Sequence, residues 1–211
     1  ARVRRDIRLL GIALSDPEVY EPATRHIAPN FDLFLTNDPG SLPGYREAGV
    51  NASRLPVGVL DDFFKPAAVR PELICDVLFM GEAYACRIEP VRALIEHFDV
   101  HVYGEAWEEH GITSRGAIYG DDSLAALNSA RSSVVLSRTR SGHEIVKVGV
   151  FNFLAAGWFV VTERLPELEN YFDVGRELIT FKSTAEMVER IQYFLSHPDE
   201  RREIVEKGRD R

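Results

Sequence analysis

Short apolar runs alternate with segments whose apolar residues recur at helical spacing, almost from end to end of the chain. Residues 7–14 read as a strand, and a short helix is expected near 17–27. Residues 31–36 read as a second strand, closed by the turn signal Asn37-Asp38-Pro39-Gly40. A short helix around 45–48 ends at Gly49. Residues 54–58 give a weak strand, because Pro56 belongs at a sheet edge.

Residues 64–73, with Pro66 and Pro71 as breakers, read as a linker, after which the pattern restarts more strongly. Residues 76–81 form a continuous apolar strand ending in Gly81. Val91, Leu94, Ile95 and Phe98 then mark one face of a helix. Strands are expected at 100–104, 117–119, 133–136, 158–162 and 177–181. Asp121-Asp122-Ser123 offers an N-cap for a helix over 124–130. A helix is expected over 144–156, stopped by Gly157. Ser183 caps a helix carrying Met187, Val188, Ile191, Phe194 and Leu195, and Pro198 opens a charged final helix.

Strands that are apolar throughout, rather than alternating, are buried on both faces. Joined by helices, they predict an α/β fold with a parallel sheet and helices on both faces. Residues 74–211 supply enough elements for one complete domain of this kind. Residues 1–66 supply only two or three strands, a partial α/β domain, and the chain reads as a fragment of a longer protein.

Composition narrows the partners. No apolar run approaches the ~20 residues that span a bilayer, so no transmembrane segment is expected. The charged start Ala1-Arg2-Val3-Arg4-Arg5 lacks a following apolar stretch, so it is not read as a signal peptide. The net charge of -8 argues against nucleic acid as a partner. Cys75 and Cys86, the only cysteines, fit no zinc spacing and read as reduced thiols of a cytoplasmic protein.

In a parallel sheet, ligands bind beyond the carboxyl ends of the strands, and helix N-termini there attract anions. Three places qualify. Gly81 permits a close turn, and Arg87 either reaches a phosphate or is a solvated residue at a helix start. The segment Ser137-Arg138-Thr139-Arg140-Ser141-Gly142-His143-Glu144 has the parts of a diphosphate cradle, or is a polar loop with a helix cap. In the expected helix, Glu144 and Lys147 are i, i+3 neighbours and Asn152 lies two turns on. These form an ion pair on a half-buried helix, or line a site, and a buried Asn152 amide would require a partner.

Residues 137–157 resemble the corresponding helix of retaining GT-B glycosyltransferases, with two glutamates seven residues apart before a small-residue turn ending in Gly. Here Glu144 holds the first position and Asn152 the second, followed by Phe153-Leu154-Ala155-Ala156-Gly157. The stretch Lys147-Val148-Gly149-Val150-Phe151-Asn152 is similar to the Lys-Gly-Arg-x-Phe-Glu run of the CgeB-like, spore-maturation branch of glycosyltransferase group 1. Met80-Gly81 with Arg87, the segment Tyr103-Gly104-Glu105-Ala106-Trp107, and Leu168-Glu169-Asn170-Tyr171-Phe172 with Gly175-Arg176-Glu177 resemble further family segments in the same order.

The resemblance implies that residues 74–211 are the Rossmann-like donor domain and 1–66 the end of the acceptor-side domain of a bacterial GT-B enzyme. It implies transfer of a sugar from a nucleotide sugar to a saccharide, protein or lipid-linked acceptor, with retention. It implies no cofactor and no obligatory metal. Glu144 would contact the donor sugar or phosphates, and His143 the donor or acceptor. Gly81, Arg87, Gly104, Ser141, Gly142, Lys147 and Asn152 would bind the donor. Asn152 replaces a family glutamate and Gly149 a family arginine, so a non-catalytic module with a degenerate donor site is the alternative. A sugar-nucleotide epimerase would need an acid/base set that the sequence does not assemble.

Overall fold

The computed structural model describes residues 7–55, 58–59 and 62–211. The chain divides into two compact units, residues 1–57 and 58–211.

The smaller unit has a three-stranded parallel sheet in the order β1-β2-β3, from β1 (Leu10–Ala13), β2 (Leu33–Thr36) and β3 (Ala52–Arg54). A π-helical turn (Tyr20–Thr24) runs into α1 (Arg25–Ile27), and α2 (Leu42–Glu47) joins β2 to β3. Gly49, at φ 74°, takes the left-handed turn that ends α2. Phe34, Tyr45 and Ala28 form a small core. The strand expected over 54–58 appears earlier, at the sheet edge, and Pro56-Val57 lies outside the described residues.

The larger unit has five parallel strands in the order β5-β4-β6-β7-β8. They are β4 (Cys75–Met80), β5 (Val100–Tyr103), β6 (Ala130–Val135), β7 (Val160–Glu163) and β8 (Ile179–Phe181). The helices are α3 (Ala85–His97), α4 (Gly120–Ser129), α5 (Val148–Ala155), α6 (Thr184–Ser196) and α7 (Pro198–Asp210).

Adjacent residues of one strand enter opposite cores, as the pleat dictates. Val77 and Phe79 pack with Val91 and Leu94 of α3 and Met187, Ile191 and Phe194 of α6. Leu78 packs on the other face with Leu127 of α4 and Val150 and Leu154 of α5. Helices thus cover both faces, the α/β architecture expected from strands without polar alternation. Ser183 caps α6 by accepting from the Glu186 N–H.

Three expectations are corrected. The helix expected over 144–156 begins only at Val148, with Lys147 at its N-cap. Residues 137–145 are instead a hairpin, in which the β-branched Ile145 and Val146 suit extended backbone better than a first helical turn. Glu144 and Lys147 are therefore not helical neighbours. No strand forms at 117–119, although Arg115 and Gly116 hydrogen-bond to Val102 and Gly104. Left-handed Gly116 (φ 78°) and Gly120 (φ 58°) bracket the segment and take it out of the sheet. Finally, α4 starts at Gly120, which places Asp121, Asp122 and Ser123 inside its first turn instead of at its cap.

Candidate functional site

The strand order reverses direction between β4 and β6. From β4 the chain passes through α3 to β5 on one side, then crosses to β6 on the other. A crevice opens at the carboxyl ends of strands at such a point.

Backbone pairing persists past the strand ends on the β4 side. Gly81 N–H donates to Tyr103 O at 2.8 Å and Ala83 N–H to Glu105 O at 2.9 Å. A Cβ on Gly104 would stand 2.1 Å from the Gly81 carbonyl oxygen, so only glycine fits there. The same carbonyl accepts from the indole N–H of fully buried Trp107 at 2.8 Å.

Gly81 also leaves room for Arg87, whose Nη1 would lie 2.5 Å from a Cβ at position 81. The Arg87 guanidinium stacks 4.0 Å from the Tyr84 ring centroid and donates to Glu82 O at 3.0 Å. Its Nε is buried and has no partner. Burial lowers the Arg87 pKa, opposed by Tyr84, Cys86 and Glu82. A guanidinium stays charged at neutral pH regardless. It is thus a half-buried cation with an unsatisfied donor, an arrangement that favours an anion as the missing partner.

On the β6 side stands the hairpin. Thr139 N–H donates to His143 O at 2.8 Å, Gly142 N–H to Thr139 O at 3.0 Å and Ile145 N–H to Ser137 O at 3.2 Å. Arg138 and Glu144 face each other as an antiparallel bridge, and Gly142 takes the turn at φ 85°. The hairpin docks on the β4 loop. Tyr84 OH donates to Arg138 O at 2.8 Å, and Arg140 Nη2 lies 2.7 Å from Glu82 Oε1. Arg138 lies 3.5 Å from Glu144 and 3.8 Å from Glu163. Tyr84 is therefore flanked by two guanidiniums, with Arg140 Cζ 5.8 Å from its ring centroid. Beside this cluster is a cleft of about 280 Å³ lined by Met80 to Glu82, Tyr103 to Glu105 and residues 117–119.

The residues singled out in the sequence are only partly gathered. Gly81, Arg87 and Gly104 share the β4 and β5 loops. Ser141, Gly142, His143 and Glu144 are exposed on the hairpin, and Lys147 is half-buried at the N-cap of α5. Asn152 lies a turn further along α5. It is half-buried, not buried, and its side-chain amide makes no hydrogen bond among the described residues, so Asn152 is not the buried, partnered amide that the sequence suggested. A Cβ at Gly149 would meet Val135 only at an ordinary 3.8 Å. Tyr84, Glu82 and Glu163 belong to the cluster and were not singled out. The sequence signal for Tyr84 is its place three residues before Arg87. Glu163 comes from a distant strand end and carries no local signal. Among the described residues no group of three or more His, Cys, Asp or Glu side chains is placed to hold a metal, and no helix is long and apolar enough to cross a membrane.

Solved structures of similar fold include three glycosyltransferases of the GT-B class. HepE from Anabaena in complex with UDP superposes with a TM-score of 0.69 at 14% identity, over 96% of this chain and 66% of that one. Sucrose-phosphate synthase from Thermosynechococcus elongatus gives 0.67 at 17% identity, over 95% of this chain and 62% of that one. A TarM mutant from S. aureus, in complex with fondaparinux, α-GlcNAc-glycerol and UDP, gives 0.67 at 11%, over 99% and 48%. The chain thus spans about half to two thirds of the length of these structures, and at such identities they show the fold, parallel sheets flanked by helices as in GT-B enzymes. No curated protein matches. The glycosyl transferase-like family model matches residues 87–211, more than half of the sequence, and the chain belongs to that family.

Proposed function

We propose that residues 58–211 bind the nucleotide diphosphate of a sugar donor, and that the chain is part of a bacterial, cytoplasmic GT-B glycosyltransferase. On this reading residues 1–57 belong to the acceptor side, the acceptor is a saccharide, protein or lipid-linked group, and transfer proceeds with retention. The motif order that resembles the CgeB-like branch supports placing the chain there. One observation carries the reading: Arg87, half-buried with an orphaned Nε, stands at the strand-order reversal beside a cleft walled by Ile118 and Tyr119. The cleft suits the flat face of a base and the arginines suit the phosphates. HepE and TarM, both solved with UDP, are similar in fold.

The donor needs no metal on this account, because Arg87, Arg138 and Arg140 can neutralise the leaving diphosphate. Arg140 and Arg138 would exchange the carboxylates of Glu82 and Glu144 for phosphate oxygens. Glu144, so released, could then face the donor sugar, and His143 beside it the donor or acceptor. The alternative of a degenerate, non-catalytic module is favoured by Asn152 and Gly149. The ordinary spacing around Gly149 leaves room to restore arginine there.

Thermal unfolding in the presence of UDP, GDP, ADP and TDP tests the binding. A nucleoside diphosphate at a hundred times its dissociation constant should add about 2.7 kcal/mol of stability. No shift with any of the four at millimolar concentration would reject donor binding. Sugar release from the bound donor, gained only in the Gly149→Arg/Asn152→Glu variant, would favour the degenerate module.

A further inference from the structure

The amino edge of the five-stranded sheet carries a second cleft, of about 600 Å³, between the starts of β6 and β7 and the helix α7. Four arginines line it: Arg131, Arg201, Arg202 and Arg209. Two are committed elsewhere. Arg131 lies 3.0 Å from Asp76, and Arg202 lies 3.1 Å from Asp199. Arg201 donates only to the Phe194 carbonyl, at 3.3 Å, and neither it nor Arg209 pairs with a carboxylate among the described residues. Glu206 and Asp210 also stand at the wall, yet neither forms an ion pair with Arg201 or Arg209 among the described residues. Trp158, Val205 and Pro66 provide an apolar wall beside them.

Helices α4 and α5 end at this edge, and their carbonyl ends attract a cation. That accounts for one arginine per helix end but not for the crowding. Arg201 is partly buried, and burial, with Arg131 and Arg202 adding to it, lowers its pKa, while no carboxylate pairs with Arg201 itself among the described residues.

We propose that this cleft is a binding site for a phosphoester, whose phosphate is gripped by Arg201 and Arg209 and whose body lies against Trp158 and Val205. A guanidinium offers two parallel donors to phosphate oxygens, and two guanidiniums with Arg131 nearby match a phosphate better than a carboxylate. The phosphate comes either from a lipid headgroup or from a soluble phosphorylated molecule. The site is separate from the carboxyl-edge crevice and independent of the reading given to it.

Trp158 is a built-in reporter, because the only other tryptophan, Trp107, is buried at the opposite edge of the sheet. The whole chain is titrated with inorganic pyrophosphate and, separately, with phosphatidylcholine vesicles with and without about one third phosphatidylglycerol. Pyrophosphate is expected to change the fluorescence saturably. The change should be absent in Trp158→Phe and weakened about tenfold or more in Arg201→Gln/Arg209→Gln, as the loss of charge-assisted bonds requires. Sedimentation with phosphatidylglycerol vesicles alone, lost in the same variant, would assign the lipid source; a pyrophosphate response without vesicle binding would assign the soluble one. Arg201 touches α6, so the exposed Arg209→Glu variant serves as the second test and should also weaken binding. A response to neither probe overturns the proposal. So does a response that survives both arginine variants, or one that disappears with Arg87→Ala.

Discussion

Asp16 in the smaller unit and Arg87 in the larger one both follow the first strand of a parallel sheet, yet their surroundings are built in opposite ways. Asp16 is fully buried and accepts from Thr24 at 2.8 Å, Thr36 at 2.8 Å and Tyr45 at 2.7 Å. Every hydroxyl around it has a partner, and the Tyr45 and Thr24 hydroxyl oxygens lie 2.6 Å apart. Arg87 has one hydrogen bond, a stacking partner and a buried nitrogen with nothing to donate to. The flanking Arg138 and Arg140 are about half-exposed or more and held by carboxylates that could be exchanged. A closed polar network fixes a loop. An open one, with an unmet donor and replaceable counterions, is where a ligand gains most.

The largest effect should come from breaking the closed network. Asp16→Ala strands three hydroxyls and should cost about 3 kcal/mol, read as a fall in the denaturant midpoint of the smaller unit by hydrogen exchange of residues 7–55. Gly104→Ala drives a methyl into the Gly81 carbonyl and should cost about 2 kcal/mol while abolishing nucleotide protection, measured by paired melts with and without ligand. Arg87→Ala should leave the fold intact but weaken nucleoside diphosphate binding about tenfold, seen by calorimetry. Glu82→Gln frees Arg140 from its competing carboxylate and should tighten that binding about threefold; unchanged or weaker binding would mean the ion pair is scaffolding.

The two clusters should also differ in alkaline solution. Burial holds the Tyr45 hydroxyl protonated well above the usual tyrosine range, with the Asp16 and Tyr20 charges adding to it. Its folded pKa is raised, so its contribution is complete below about pH 10, the unfolded value, and is lost as pH rises beyond it. Tyr45→Phe should flatten that decline in denaturation midpoints measured from pH 9 to 11.

The sheet was legible because β4 and β7 send apolar side chains to both faces, and the Ser183 cap and Pro198 mark α6 and α7 in plain view. The segment at 137–147 was not. Its spacing of Glu144, Lys147 and Asn152 suits a helix, but the Arg138–Glu144 bridge and the docking of Tyr84 and Arg140 are tertiary contacts with no local sequence period. The strand expected at 117–119 failed for a local reason, the two left-handed glycines at its ends. Arg87 and Gly81 were legible from their place after an apolar strand. The support of Gly81 by Trp107 spans 26 residues, which no local spacing encodes.

Backbone amide chemical shifts of the whole chain, followed during titration with UDP, test the central claim directly. The account predicts saturable changes at Gly81, Gly104, Ile118 and the Arg138 to Gly142 turn, lost in Arg87→Ala. Saturable changes confined to other parts of the chain, or changes at these amides that persist without the Arg87 guanidinium, would contradict it.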